Sequence, residues 1–229
     1  MMNNKKRRNQ IKPGNNILIK DLQMIILPKP KFKKGKTVFE ALKQRKTTRE
    51  IRDKKLSMQE LSNLLWAANG VNRQRGPFGL VGRTAASASN SQEIDIFVAL
   101  PEGIYLYDPI NHRLMPKVHG DFRKLAIGKT QSKLITSAPV QLIYVVDIDK
   151  FIHTSGFQEP GLHNAEVQKS YYFVDTGLIA GNVYLYSASQ SLAVWFHNCD
   201  KEELKKVLKL RPKQKVLFGQ TIGYAVKNK

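Results

Sequence analysis

An apolar run at residues 139–146 constrains the fold more than any other feature of the sequence. It reads Pro-Val-Gln-Leu-Ile-Tyr-Val-Val, so apolar residues would occupy both faces of a strand formed here. Runs of this kind, rich in β-branched residues, are typical of central strands that are buried on both sides. We therefore expect a sheet with other elements packed against each of its faces.

Local patterns elsewhere predict a mixture of helices and strands. Capping boxes at residues 37–40 and 57–60 start two helices, which end near Arg45 and at Gly70. Further strands are predicted over 94–98, 103–107, 112–115 and 216–226, and further helices over 121–126, 165–190 and 201–208. The glycine-rich segment 70–83 is interpreted as a loop. Because helices and strands do not alternate regularly, the predicted fold class is α+β.

The formal charge of +20 at pH 7 is concentrated at the start of the chain. Residues 1–36 contain eleven Lys or Arg and one acidic residue, Asp21, so this segment carries +10, half of the total. We interpret it as a basic, extended or flexible N-terminal arm, followed by a single domain over 37–229. Lys and Arg can release counterions from a polyanion, so a basic nucleic-acid-binding protein is the remote alternative. The arm has no recognisable binding motif and no interleaved aromatic residue beyond Phe32.

The sequence indicates a cytoplasmic protein without a membrane span or a metal centre. The single cysteine, Cys199, excludes an internal disulfide and suits a reducing compartment. The first 16 residues lack the apolar core of a signal peptide, and polar residues interrupt the apolar stretch 171–195. The five histidines lack the spacing of metal ligands.

Two polar stretches contain the candidate functional residues. The first is Arg45-Lys46-Thr47-Thr48-Arg49 at the end of a predicted helix. The second, residues 87–92, is a run of small polar residues before a predicted strand. Guanidinium groups and hydroxyls are suitable donors for a phosphate dianion. Taken alone, the first stretch is better explained as an exposed helix end, where the helix dipole favours cations.

The order and spacing of the two stretches resemble the nitroreductase family of flavoproteins. That family has an Arg-Arg/His/Lys-Ser/Thr-x-Arg/Lys signature and then a Ser-x-x-Asn-x-Gln stretch before a strand, as residues 45–49 and 87–92 have here. The same order continues with Asp175-x-Gly177, Asn182 and the Gly-Gln-Thr-Ile-Gly-Tyr stretch 219–224. The resemblance covers residues 37–226 and is closest to a subgroup that is grouped with the azoline dehydrogenases of peptide-modification clusters.

This resemblance implies a mixed β-sheet flanked by helices, assembled as an intertwined homodimer that binds FMN between its subunits. Arg45 would hold the FMN phosphate with help from Thr47, and Arg49 would face the N1 and C2 carbonyl edge of the ring. The 87–92 stretch would reach the flavin from the partner subunit, and Asn198 would place its backbone N–H near flavin N5. The implied cofactor-binding residues are Arg45, Lys46, Thr47, Arg49, Ser87, Ser89, Asn90, Gln92, His197 and Asn198.

The resemblance also implies an FMN-dependent oxidoreductase without catalytic side chains, because the flavin carries the chemistry. NAD(P)H would deliver hydride in a ping-pong cycle to a nitroaromatic, quinone or similar small acceptor. The alternative is an azoline-type peptide dehydrogenase that uses FMN and oxygen. Other branches of the family place a C-terminal Lys/Arg pair on the phosphate, and Arg83 is a further candidate for that role here.

Overall fold

The computed structural model describes residues 22–32, 35–128, 138–156 and 163–226. These residues form five α-helices and ten β-strands around one large sheet, which confirms the predicted α+β class. In chain order the elements are β1 (Ile25–Ile26), α1 (Val38–Gln44), β2 (Ile51–Arg52), α2 (Met58–Asn69), β3 (Val71–Arg73), β4 (Gly82–Arg83), β5 (Ile94–Leu100), β6 (Gly103–Asp108), β7 (Arg113–His119), β8 (Val140–Asp147), α3 (Ile148–Ile152), α4 (Ala165–Ser189), β9 (Ala193–His197), α5 (Lys201–Val207) and β10 (Gln214–Ala225).

The large sheet is antiparallel and is built around β8. Its strand order is β1-β7-β6-β5-β8-β10-β2, with β9 paired to β10. Every residue of β8 is buried, as the apolar run predicts. Successive β8 side chains enter two different hydrophobic clusters. Leu142 and Tyr144 pack with residues of α2 and α4, whereas Ile143 and Val145 pack with Leu204 of α5.

Side-chain caps define where the predicted helices begin. Thr37 and Ser57 each form a complete capping box with the glutamate three residues later, so α1 and α2 begin where the sequence predicts. Asn164 caps α4, the 25-residue helix that packs against both α1 and α2. Asp200 caps α5.

Some of the local predictions are wrong. The segment 70–83 is not only a loop, because β3 and β4 pair within it and Val71 lies opposite Arg83. The helix predicted over 121–126 is a short 3-10 turn, Arg123–Ala126. The elements β1, β2, α3 and β9 have no counterpart among the predictions.

The described part of the predicted basic arm packs against the domain. We call residues 27–32 the N-terminal strap. Side chains along one face of α2 bind the strap backbone: Gln59 Nε2 donates to the Lys29 carbonyl (3.0 Å) and Asn63 Oδ1 accepts from Lys31 N–H (2.9 Å). The ring of Phe32 lies 4.5 Å from that of Trp66. Residues 1–21 lie outside the described residues, and the boundary at residue 36 stays a prediction.

None of the helices in the described part of the chain has the length and apolar character needed to cross a membrane.

Candidate functional site

The cationic turn, residues 45–49, is fixed between α1 and β9. The N–H of Arg45 donates to the Ala41 carbonyl at 2.8 Å, which closes α1. Three residues later the N–H of Thr48 donates to the Val194 carbonyl of β9 at 2.9 Å. The turn therefore has a defined position at the edge of the sheet, although the side chains of Arg45 and Arg49 are exposed.

Tyr184 of α4 forms the base of this turn. Its hydroxyl accepts a hydrogen bond from Phe196 N–H at 3.0 Å and shares a second one with Thr47 Oγ1, also at 3.0 Å. The guanidinium of Arg45 lies over the Tyr184 ring, 5.5 Å from its centre. One α4 side chain thus orients two residues of the turn.

The cations of the turn have no acidic partner among the described residues. The ion pairs found there include none of Arg45, Lys46 and Arg49. The guanidinium of Arg49 lies instead over the ring of buried Trp195, at 5.2 Å from its centre. An aromatic face orients a guanidinium but leaves its charge and its N–H donors available. This arrangement fits an anionic ligand such as a phosphate.

His197 is buried next to the turn and holds the peptide that follows it. Its Nε2 lies 2.7 Å from Thr221 Oγ1, which donates to Gln141 Oε1 at 2.5 Å, and its Nδ1 lies 2.9 Å from the Asn198 carbonyl. That carbonyl also accepts from Gly128 N–H at 3.0 Å. Burial lowers the pKa of His197, against a smaller opposing effect of the Asn198 carbonyl.

Residues 87–92, the serine loop, have an unusual backbone. Ser89, Asn90 and Gln92 all have positive φ angles, of 49°, 53° and 52°. L-residues rarely adopt this region, and several such residues in one loop persist only when surrounding contacts hold them.

Most polar side chains of the serine loop bind the protein itself. Gln92 accepts from Arg83 Nε at 2.8 Å and donates to the Val81 carbonyl at 2.8 Å. Asn90 donates to backbone carbonyls of the segment before β4, and Ser87 Oγ accepts from Gln92 N–H at 3.0 Å. Arg83, a further phosphate candidate from the sequence, is therefore engaged in holding this loop.

The structure brings the predicted residues together as two separate groups within one chain. The cationic turn meets α4 at Tyr184, whereas the serine loop meets it at Asp175, whose carboxylate accepts Ala88 N–H at 2.9 Å. These α4 residues are nine positions apart, which corresponds to about 13.5 Å along a helix. No hydrogen bond between described residues joins the turn to the loop. His197 and Asn198 belong to the first group.

Comparisons with known proteins agree with this architecture. A family model described as "Nitroreductase family" matches residues 42–224. The chain belongs to the nitroreductase family. The match begins in α1 and ends in β10, so it contains the turn, the loop and β9.

Two relatives of the nitroreductase family are similar over most of their length. A candidate nitroreductase of Methanocaldococcus jannaschii is 26% identical over 184 residues, which cover 75% of this chain and 84% of that protein. The crystal structure of a candidate nitroreductase from Ralstonia eutropha JMP134 has a TM-score of 0.76 and 32% identity, with 90% of each chain covered. The structure of YcnD from Bacillus subtilis, described as a hypothetical oxidoreductase, matches in fold with a TM-score of 0.57 at 18% identity, covering 83% of this chain and 66% of that one.

Sequence reasoning did not find the supporting roles of Tyr184 and Arg83 next to the candidate cofactor-binding residues of this nitroreductase-family protein. Tyr184 orients the turn, and Arg83 holds the loop through Gln92. Tyr184 lies two positions after Asn182, one of the residues that carry the family resemblance, so this proximity was the available signal. No local pattern connects it with Thr47, which is 137 residues away.

Proposed function

We propose that this protein is an FMN-dependent oxidoreductase that works as a homodimer. The observation that carries the proposal is the cationic turn. Its three cations lack an acidic partner among the described residues, and two of them, Arg45 and Arg49, lie over aromatic rings. When bound, FMN would supply the chemistry, accepting hydride from NAD(P)H and passing it in a ping-pong cycle to a nitroaromatic, quinone or similar acceptor.

The turn would bind the two ends of the cofactor separately. Arg45 and Thr47, both oriented by Tyr184, would hold the phosphate, with the charge of Lys46 close by. Arg49 is held over Trp195, whose ring centre lies 4.8 Å from that of His197. There its fixed charge would stabilise negative charge on the ring and would raise the reduction potential of the bound flavin.

Asn198 would contribute its backbone rather than its side chain. Its carbonyl is held from two sides, by the His197 imidazole and by Gly128 N–H. Because Asn198 itself is exposed, its N–H could donate to the ring without displacing a core contact. His197 would act by holding the backbone of the residue that supplies this donor.

An exposed apolar stripe supports the homodimer. Tyr171, Val174 and Leu178 lie on one face of α4 with 38%, 58% and 44% of their surface exposed. A Cβ added at Gly177 or Gly181 would meet nothing within 4 Å in this chain. Large apolar residues beside such glycines form a surface that a second helix can approach closely, and exposed apolar patches mark association sites.

A second copy on this stripe would also explain why the predicted site is divided within one chain. The serine loop of the partner subunit would reach the cationic turn, which the loop of the same chain does not. The exposed apolar residues of α1, Val38, Phe39 and Leu42, extend the surface available to a partner.

The first experiment is a spectrum of the purified protein before and after addition of FMN, with riboflavin as the matched ligand without phosphate. We expect a bound flavin band with FMN and weaker binding of riboflavin. Anaerobic addition of NADH or NADPH should then bleach the band, and a nitroaromatic or quinone should restore it. A folded protein that binds neither flavin contradicts the proposal.

A further inference from the structure

Two carboxyl groups are buried together beneath the serine loop. Glu93, just before β5, has no exposed surface, and Asp175 in the middle of α4 is 4% exposed. Among the ion pairs of the described residues, none includes either group. Buried carboxyls without a cation are costly when ionised, so the pair requires a specific explanation.

Each carboxyl binds one part of the loop. Asp175 Oδ2 accepts Ala88 N–H at 2.9 Å, and Glu93 Oε2 accepts a hydrogen bond from Ser91 Oγ at 2.7 Å. The three residues with positive φ, Ser89, Asn90 and Gln92, lie between or directly beside these two anchor points. The pair is therefore placed to hold the strained part of the loop at both of its ends.

The surroundings of the pair favour a protonated Glu93 at neutral pH. Burial, and to a lesser extent the negative charge of Asp175, raise the pKa of Glu93 to about 8. The hydrogen bond from the Ser91 hydroxyl opposes this shift. Burial also raises the pKa of Asp175, but the Ala88 N–H stabilises its carboxylate. We place the proton on Glu93, whose pKa is raised to about 8, and the charge on Asp175, whose carboxylate accepts the Ala88 N–H.

We propose that Glu93 and Asp175 are positioning residues for flavin binding: while they share one proton they hold the serine loop in its binding shape, and loss of that proton releases the loop. This inference rests on the proposed function, in which the loop lies against FMN. Neither carboxyl needs to touch the cofactor, since both would act through the loop backbone and Ser91.

The proposed direction of the pH effect follows from a raised pKa. Stability that depends on protonated Glu93 is complete below its ordinary value of 4.5 and is lost as the pH rises through about 8. Each carboxyl is the titratable group that shifts the pKa of the other, with Asp175 on α4 and Glu93 just before β5. Within the described residues, no lysine, arginine or histidine is among the groups that shift either pKa.

The decisive variant is Glu93→Gln, because an amide of the same shape can accept from Ser91 and donate to Asp175 but cannot ionise. We would measure the Kd for FMN by fluorescence titration from about pH 6 to about pH 9.5. In the unchanged protein, affinity should fall by up to about tenfold per pH unit above pH 8. Glu93→Gln should abolish this fall and retain the affinity seen at pH 6.

Glu166→Gln is the matched control, since this glutamate lies in the first turn of α4 with 81% of its side chain exposed. It should retain the full pH dependence. A Glu93→Gln protein with the same pH dependence as the control would overturn the inference.

A second variant and a second measurement keep the test independent of FMN. Asp175→Asn removes the charge that opposes ionisation of Glu93, so the midpoint should move below pH 8, and an unchanged midpoint would contradict the pairing. Hydrogen-exchange protection of residues 87–92 in the flavin-free protein, corrected for intrinsic rates, should also fall above pH 8 only when Glu93 is present. If FMN does not bind at any pH but this protection changes as expected, the proposed function fails and the carboxyl pair stands as a control of the loop.

Discussion

Arg45 and Arg49 each place a guanidinium over an aromatic ring rather than against a carboxylate. A carboxylate partner would neutralise the guanidinium and occupy its N–H donors. An aromatic ring fixes the position of the guanidinium and leaves its charge and its N–H donors available. The residue types of the turn were readable from the sequence. The rings of Tyr184 and Trp195 were not, because they arrive from α4 and β9, which lie far along the chain.

The role of Arg45 can be separated from a general effect of charge. We expect Arg45→Ala to weaken FMN binding by about ten- to a hundredfold, the value of a hydrogen bond to a charged group. Riboflavin, which lacks the phosphate, should lose little affinity. Lys43→Ala is the control, because Lys43 is an exposed cation in the last turn of the same helix. Equal losses for FMN and riboflavin would refute the phosphate assignment.

Among the elements, those with local signals were predicted and those that depend on pairing were not. The caps at Thr37 and Ser57 and the apolar pattern of β8 lie within a few residues of the elements that they specify. By contrast, β2 has two residues and exists because Ile51 and Arg52 pair with the end of β10. No pattern within two residues contains that information. The same is true of β1, which also has two residues and pairs with β7.

The capping box of α2 can be tested by mutation. The Glu60 carboxylate accepts from Ser57 N–H at 2.8 Å and from the Tyr224 hydroxyl at 2.8 Å, so it joins α2 to β10. Burial acts to raise the pKa of Glu60, but the hydrogen bonds from Ser57 and Tyr224 outweigh it and lower the pKa. A lowered pKa means stability that is present above the ordinary value of 4.5 and is lost as the pH falls through the folded value.

We therefore expect Glu60→Gln to reduce the unfolding free energy at pH 7 by no more than about 1 kcal/mol, since the site is half exposed. The difference in unfolding free energy between the variant and the unchanged protein should shrink as the pH falls towards about 3. Urea denaturation at several pH values measures this difference. Glu202→Gln, an exposed acid in the first turn of α5, is the control. A difference that grows on acidification would contradict the assignment.

For the whole molecule, α4 is the element that relates the two halves of the candidate site. It carries Asp175 under the serine loop and Tyr184 under the cationic turn. It also carries the exposed apolar stripe of Tyr171, Val174 and Leu178. The sequence located all of these residues on one helix. It could not show which side chains they meet, because contacts such as that between Ala88 and Asp175 join residues 87 positions apart.

Assembly can be tested on the stripe itself. We expect Leu178→Glu to shift the protein from dimer to monomer in sedimentation velocity, because a charge would be buried without a partner at the contact. FMN affinity should fall together with dimerisation. Lys205→Glu, on the exposed surface of α5, supplies a control. A protein that remains dimeric with Glu at 178 would place the contact elsewhere.

A site shared between subunits makes a separate prediction. A variant changed at Ser89 and Asn90 and a variant changed at Arg49 should each bind FMN poorly. If the two halves come from different subunits, mixing the variants restores one intact site in each mixed dimer. Calorimetric titration of the mixture should then recover FMN sites, up to about a quarter of the total under random pairing. No recovery, with mixed dimers demonstrated by tags, would argue for a site within one chain.

The N-terminal strap bears on where this protein can be shortened. Starting the polypeptide at residue 37, the boundary that charge alone suggests, would leave Gln59 and Asn63 without their backbone partners and would uncover the Trp66 indole. Starting it at residue 22 would discard half of the +10 charge of residues 1–36 and keep those bonds. The useful boundary for recombinant work thus lies near residue 22, where the described chain first packs. It does not lie at residue 36, where the basic segment ends.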